Sequence, residues 1–183
     1  MTFTEANTVE AFIRDLLCGG VTDRTTTDPG LVRTGNQLSG LGWHYLSHEN
    51  LPRQPQEALV EEHLSEALIR LNPTIAAQPH RPRLRAIIMG VRSDGLVKAN
   101  EEFAAWITGE KSMPFGENGE HVTIKLIDFD DLEQNQYVVT QQYTFRAGKT
   151  EKRADLVLLI NGMPLVLIEA KTPGRASQRW LDG

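Results

Sequence analysis

The chain has 183 residues, 40% of them apolar and 23% charged, with a formal net charge of −5. This length allows one domain with a sizeable core, and the composition is that of an ordinary soluble globular protein. No apolar run approaches the ~20 residues of a membrane span, and the net acidity argues mildly against a surface dedicated to nucleic acid, although local patches matter more than the total.

Cys18 is the single cysteine and forms no internal disulfide, which fits a reducing compartment. Met1-Thr2-Phe3-Thr4-Glu5 lacks the basic start and apolar core of a secretory signal, so a cytoplasmic location is expected.

Residues 5–17 read as the first helix, because Val9, Phe12, Ile13, Leu16 and Leu17 fall on one helical stripe. Asn7 with Glu10 resembles a capping pair, which makes Glu10 a cap or a solvated side chain, and Gly19-Gly20 stops the helix. Residues 19–56 are rich in Gly, Thr, Pro and Asn and read as loop, with a short helix or strand near Leu41–Leu46. His44 and His48 stand four apart, but no Glu follows the first and no third ligand is in view, so the zincin pattern fails. The glycines at 35–42 and Gly109-Glu110-Lys111-Ser112 do not complete a P-loop.

Residues 56–71 predict a second helix with Leu59, Val60, Leu64, Ala67, Leu68 and Leu71 on one side, ended by Asn72-Pro73. Its glutamates Glu61, Glu62 and Glu66 read as a wet face. His80-Arg81-Pro82-Arg83-Leu84-Arg85 is a basic cluster able to neutralise phosphates, or a solvated loop. Residues 84–92 are too short for periodicity to separate strand from helix. A third helix is expected over 94–108, with Leu96, Phe103, Trp106 and Ile107 buried and Gly109 as its stop. The pattern then changes to period two over Val122–Asp128 and again over Tyr137–Phe145, with a turn at Asp130–Asn135. Asp128 reads as a turn former at a strand end rather than a site acid. Helices followed by an antiparallel meander predict an α/β fold, a mixed or antiparallel sheet flanked by helices.

The meander ends in two Leu/Ile/Val-rich runs flanking Asn161-Gly162, a strong hairpin signal because both residues tolerate positive φ. With a loop of Asn161–Met163, Ile160 pairs with Pro164 and Asp155 sits opposite Glu169. A two-residue loop instead places Asp155 opposite Ile168. Glu169 and Lys171, two apart on one strand, share a face. Two close carboxylates repel unless a cation lies between them. Mg²⁺ suits one or two carboxylates with waters and a substrate phosphate. Asp155, Glu169 and the Ala170 carbonyl could hold it, and Lys171 could serve an attacking water. The plainer alternative is a Glu–Lys pair and a strand-start Asp that merely solvate a sheet edge.

Asp155, an apolar run and Glu169-Ala170-Lys171 together resemble the PD-(D/E)xK nuclease signature, with Ala154 in place of its Pro. Leu126-Ile127-Asp128-Phe129, Asn135-Gln136-Tyr137-Val138-Val139, Arg153-Ala154-Asp155 and the string from Asn161 to Pro173 resemble the N-terminal part of the restriction subunit of type I restriction enzymes. The likeness spans most of the chain, residues 19 to 40 fitting poorly. It implies a restriction-endonuclease-like core in a single domain, and a Mg²⁺-dependent endonuclease acting on duplex DNA beside modification and specificity subunits. Asp155, Glu169 and Lys171 would be the catalytic set, and Glu10 matches an acidic position in the family's first helix that helps to position the metal. ATP would act only through a motor region that this chain lacks, so the chain is expected to be an N-terminal piece of a larger subunit. The alternatives are a non-catalytic nuclease fold that docks the motor or modification subunits, and a nuclease of another system. Lys171, Arg175 and Arg179 form a second basic cluster beside the site.

Overall fold

Apolar runs punctuated by glycine turns give the chain its longest elements. The computed structural model describes residues 9–19, 40–75, 96–116 and 118–170. In chain order these form α1 (Ala11–Cys18), β1 (His44–Tyr45), α2 (Glu61–Leu71), α3 (Leu96–Ile107), β2 (Ser112–Met113), β3 (Val122–Thr123), β4 (Tyr137–Ala147), β5 (Thr150–Ile160) and β6 (Met163–Ile168). The result is an α/β fold consistent with a restriction-endonuclease-like core. Its main sheet has the strand order β1-β4-β5-β6. β1 runs parallel to β4 with His44 paired to Val138 and Tyr45 to Val139, whereas β4, β5 and β6 follow one another through two-residue turns. No helix among the described residues is long and apolar enough to cross a membrane.

The chain forms two compact units. The first takes the described residues of Met1–Ala58, Tyr137–Leu159 and Pro164–Gly183, and the second those of Leu59–Gln136 and Ile160–Met163. In the first, Val138, Val139, Leu156, Val157 and Leu159 bury the middle of the sheet. Alternation fails there because the central strands are covered on both faces. The short strand expected near Leu41–Leu46 is β1, with His44 in it and His48 in the turn that follows. Helix α1 is confirmed from Ala11, but its expected stripe is not all buried: Phe12 is 61% and Leu16 39% exposed.

In the second unit Leu64, Leu68, Trp106, Phe115, Ile124, Leu126 and Met163 share one core, with Phe103 and Ile107 packed against it. The stripes read for the second and third helices account for most of these contacts. Gly109 follows α3 with φ 76°, the left-handed stop the sequence predicts.

The period-two expectation over Val122–Asp128 is corrected, since β3 stops at Thr123 and, among the described residues, pairs with β2 alone. Ile124, Leu126 and Ile127 are nevertheless all buried. Side-chain amides replace the missing ladder. Asn72 Oδ1 accepts from the Lys125 N–H at 2.8 Å, and its Nδ2 donates to the Lys125 carbonyl at 2.8 Å. Asn161 Nδ2 donates to the Leu126 carbonyl at 2.8 Å. Asn135 brackets Asp128 in the same way, accepting from its N–H at 2.9 Å and donating to its carbonyl at 2.7 Å. Buried backbone groups need such partners wherever sheet pairing ends. Asp128 is a turn former as read: its Oδ1 accepts from the Asp130 and Asp131 N–H groups, each at 3.0 Å.

The tip of the last hairpin also differs from the first expectation. Asn161 (φ 52°) and Gly162 (φ 78°) are the two left-handed residues, and Met163 already lies in β6. The loop therefore has two residues, the turn geometry that suits the strand twist. Asn161 is fully buried because its side chain is committed to the second unit's core. The Gly162 carbonyl accepts from Val60 N–H at 2.8 Å, just before α2. Residues 84–92 and the basic cluster His80–Arg85 lie outside the described residues.

Candidate functional site

Two turns fix where Asp155 lies. Gly148, left-handed at φ 60°, opens the two-residue turn between β4 and β5, as a Gly in the first turn position does in one common hairpin type. Counting outward from it pairs Ala147 with Thr150 and therefore Gln142 with Asp155. The bond from Asn161 N–H to the Gln136 carbonyl, 2.9 Å, keeps the same count at the far end. On the other side of β5, the two-residue Asn161-Gly162 loop puts Asp155 across from Ile168, not Glu169, which is the second of the two registers the sequence allowed.

Asp155 still reaches the Glu169–Ala170 peptide. β6 ends at Ile168, and beyond it the Ala170 N–H donates to Asp155 Oδ2 at 2.7 Å. Asp155 is half-buried, Glu169 is exposed and Ala170 is buried. Asp155 Oδ1 accepts no hydrogen bond among the described residues. Lys171, Arg175 and Arg179 lie outside the described residues, so the lysine of the motif and the basic cluster beside it are placed by sequence alone.

Glu10 overturns its plain reading. It is 2% exposed, stands just ahead of α1, and makes no side-chain cap bond among the described residues. Its carboxylate faces β4 instead. Gln142 Nε2 donates to Oε2 at 3.2 Å and to Oε1 at 3.4 Å, and Gln141 Nε2 donates to Oε2 at 3.3 Å. Behind Gln141, Arg14 Nη1 donates to Gln141 Oε1 at 3.1 Å, and the Arg14 guanidinium lies 5.1 Å from the centre of the Tyr45 ring. Glu10 itself has no ion pair among the described residues. A buried carboxylate held only by neutral amides is costly, and an adjacent cation lowers that cost.

Gln142 takes φ 57° in the middle of β4. A left-handed side-chain-bearing residue is uncommon in any strand, and such outliers gather at functional sites. Consecutive strand residues normally point to opposite faces. The kink at Gln142 lets two consecutive amides meet one carboxylate. Gln141, Gln142 and Arg14 were not singled out from the sequence. The available signal was Thr140-Gln141-Gln142, three consecutive polar residues following the apolar start of the strand.

The candidate oxygen donors of the motif are Asp155, Glu169 and the Ala170 carbonyl, and Glu10 lies just ahead of α1 against β4. Among the described residues no three His, Cys, Asp or Glu side chains gather into a cage.

Comparison with known proteins bears on this geometry. The family model described as the type I restriction enzyme R protein N terminus matches residues 34–183. The type I restriction enzyme HindI endonuclease subunit of Haemophilus influenzae is 29% identical over 157 residues, covering 79% of this chain and 15% of the relative. The putative type I restriction enzyme MjaIXP endonuclease subunit of Methanocaldococcus jannaschii is 28% identical over 149 residues, 75% of this chain and 14% of the relative. The chain thus spans about one seventh of the length of these curated relatives.

Proposed function

This chain belongs to the family of type I restriction enzyme R protein N termini, and we propose that it is the Mg²⁺-dependent endonuclease domain of such an enzyme. Its substrate is duplex DNA, delivered by an ATP-driven motor elsewhere in the subunit, and its partners are the modification and specificity subunits. Asp155 and Glu169 hold the ion together with the Ala170 carbonyl, and Lys171 orients the attacking water and assists loss of its proton. When bound, Mg²⁺ supplies Lewis-acid polarisation of the phosphodiester. The observation that carries this reading is the 2.7 Å bond from Ala170 N–H to Asp155 Oδ2. It ties the first acid of the motif to the peptide that bears the second.

The test belongs in the full-length subunit. Asp155→Ala, Glu169→Ala and Lys171→Ala should each lower DNA cleavage by about 10²-fold or more while ATP hydrolysis stays at the wild-type rate. Unimpaired cleavage by any of the three would refute the assignment. A folded subunit that takes up no Mg²⁺ in calorimetry would point to a docking role instead.

A further inference from the structure

We propose that Gln141 and Gln142 are positioning residues, a pair of carboxamides on kinked β4 that hold the buried Glu10 carboxylate at the rung of Asp155 for a divalent cation. This rests on the nuclease reading above and deepens it. Three observations converge. Glu10 is 98% removed from solvent and yet meets only the two glutamine amides among the described residues. Gln142 holds a left-handed backbone conformation that only glycine adopts without strain. Gln142 lies across from Asp155 when β4 and β5 are counted from their turn.

Each part of the network limits the freedom of the next. Arg14 donates to Gln141 Oε1 and so leaves the Gln141 NH₂ group to face Glu10. Gln142 spreads its donors over both carboxylate oxygens. Carboxamides orient a carboxylate without neutralising it, so its negative charge stays available to a cation. A lysine or arginine in their place would cancel that charge. Groups that orient a metal site in this way commonly govern its affinity by 10- to 100-fold.

The backbone kink separates this role from a structural one. Gln142→Gly removes the carboxamide but relieves the left-handed strain. In the nucleotide-free full-length protein, it should keep or raise the thermal midpoint while weakening Mg²⁺ binding in calorimetry by about tenfold or more. Glu10→Gln should weaken binding to a similar extent, and the double variant should add little to either change, because both act through one contact. Wild-type Mg²⁺ affinity in Gln142→Gly, a large drop in its midpoint, or full additivity with Glu10→Gln would overturn the proposal. Asp155→Ala serves as the reference. If it abolishes Mg²⁺ binding while Gln142→Gly does not, only the positioning role fails. If Asp155→Ala leaves binding intact, the nuclease reading itself fails.

Discussion

Gly162 shows how closely single residues are constrained here. Its φ of 78° is left-handed, and a Cβ built on it would lie 2.5 Å from the Val60 carbonyl oxygen and 3.0 Å from the Leu64 nitrogen. Both are backbone atoms, which cannot swing aside as a side chain could. Gly162→Ala therefore meets the left-handed penalty of about 1 kcal/mol and a steric clash beyond it. The expected result is a clear drop in the urea midpoint with an unchanged m-value. Asn-Gly told the sequence reader that a turn stood here, because the two residue types accept positive φ. It could not say that α2 would close over the glycine. Glu10 makes the converse case. Its spacing from Asn7 mimics a cap, and only the approach of β4 shows a carboxylate turned inward.

At the scale of elements, three asparagines do what strands would otherwise do. Asn72, Asn135 and Asn161 are all buried, and their amides bracket the irregular backbone from Lys125 to Asp128. That is why the alternating pattern over Val122–Asp128 misled. Apolar residues follow burial, and burial here does not require a ladder. Asn161→Gly tests the point, since glycine keeps the left-handed turn but deletes the side chain. It would strand the Leu126 carbonyl and the Gln136 N–H, which Asn161 holds at 2.8 Å each. Loss of about 2–6 kcal/mol in equilibrium denaturation is expected, at about 1–3 kcal/mol for each of the two groups left unsatisfied. The strand β6 is apolar and yet open: Val166 is 46% and Leu167 65% exposed, and among the described residues β6 is the last strand of the sheet.

At the scale of the whole molecule, His63 and Asp128 each make stability depend on pH. His63 is buried against the core with Nδ1 unpartnered. Burial lowers its pKa, against the opposing pull of Glu66 and Glu62. The folded state thus favours the neutral ring, and stability falls as pH drops through the ordinary histidine range, near about 6.5. Asp128 is held below the usual carboxylate range by the Asp131 N–H and then by Lys125. Its contribution is complete above the unfolded Asp pKa of about 3.9 and is lost as pH falls through the lower folded value. Thermal midpoints measured against pH should fall on acidification through both ranges, less steeply in the upper range for His63→Leu and in the lower range for Asp128→Asn.

The sequence by itself determined the order of helices and strands, the turn at Asn161-Gly162, most of the core, and the family. Each of these rests on local chemistry: apolar periodicity, glycine's access to positive φ, and a string of residues around one hairpin. Only the tertiary structure decided the hairpin register, the exposure of β6, the asparagine-held segment, and the seat of Glu10 against Gln141 and Gln142. These depend on contacts between separate elements, from Asn161 with Leu126 to Glu10 with Gln141, and no local pattern encodes which partner a buried polar group will find.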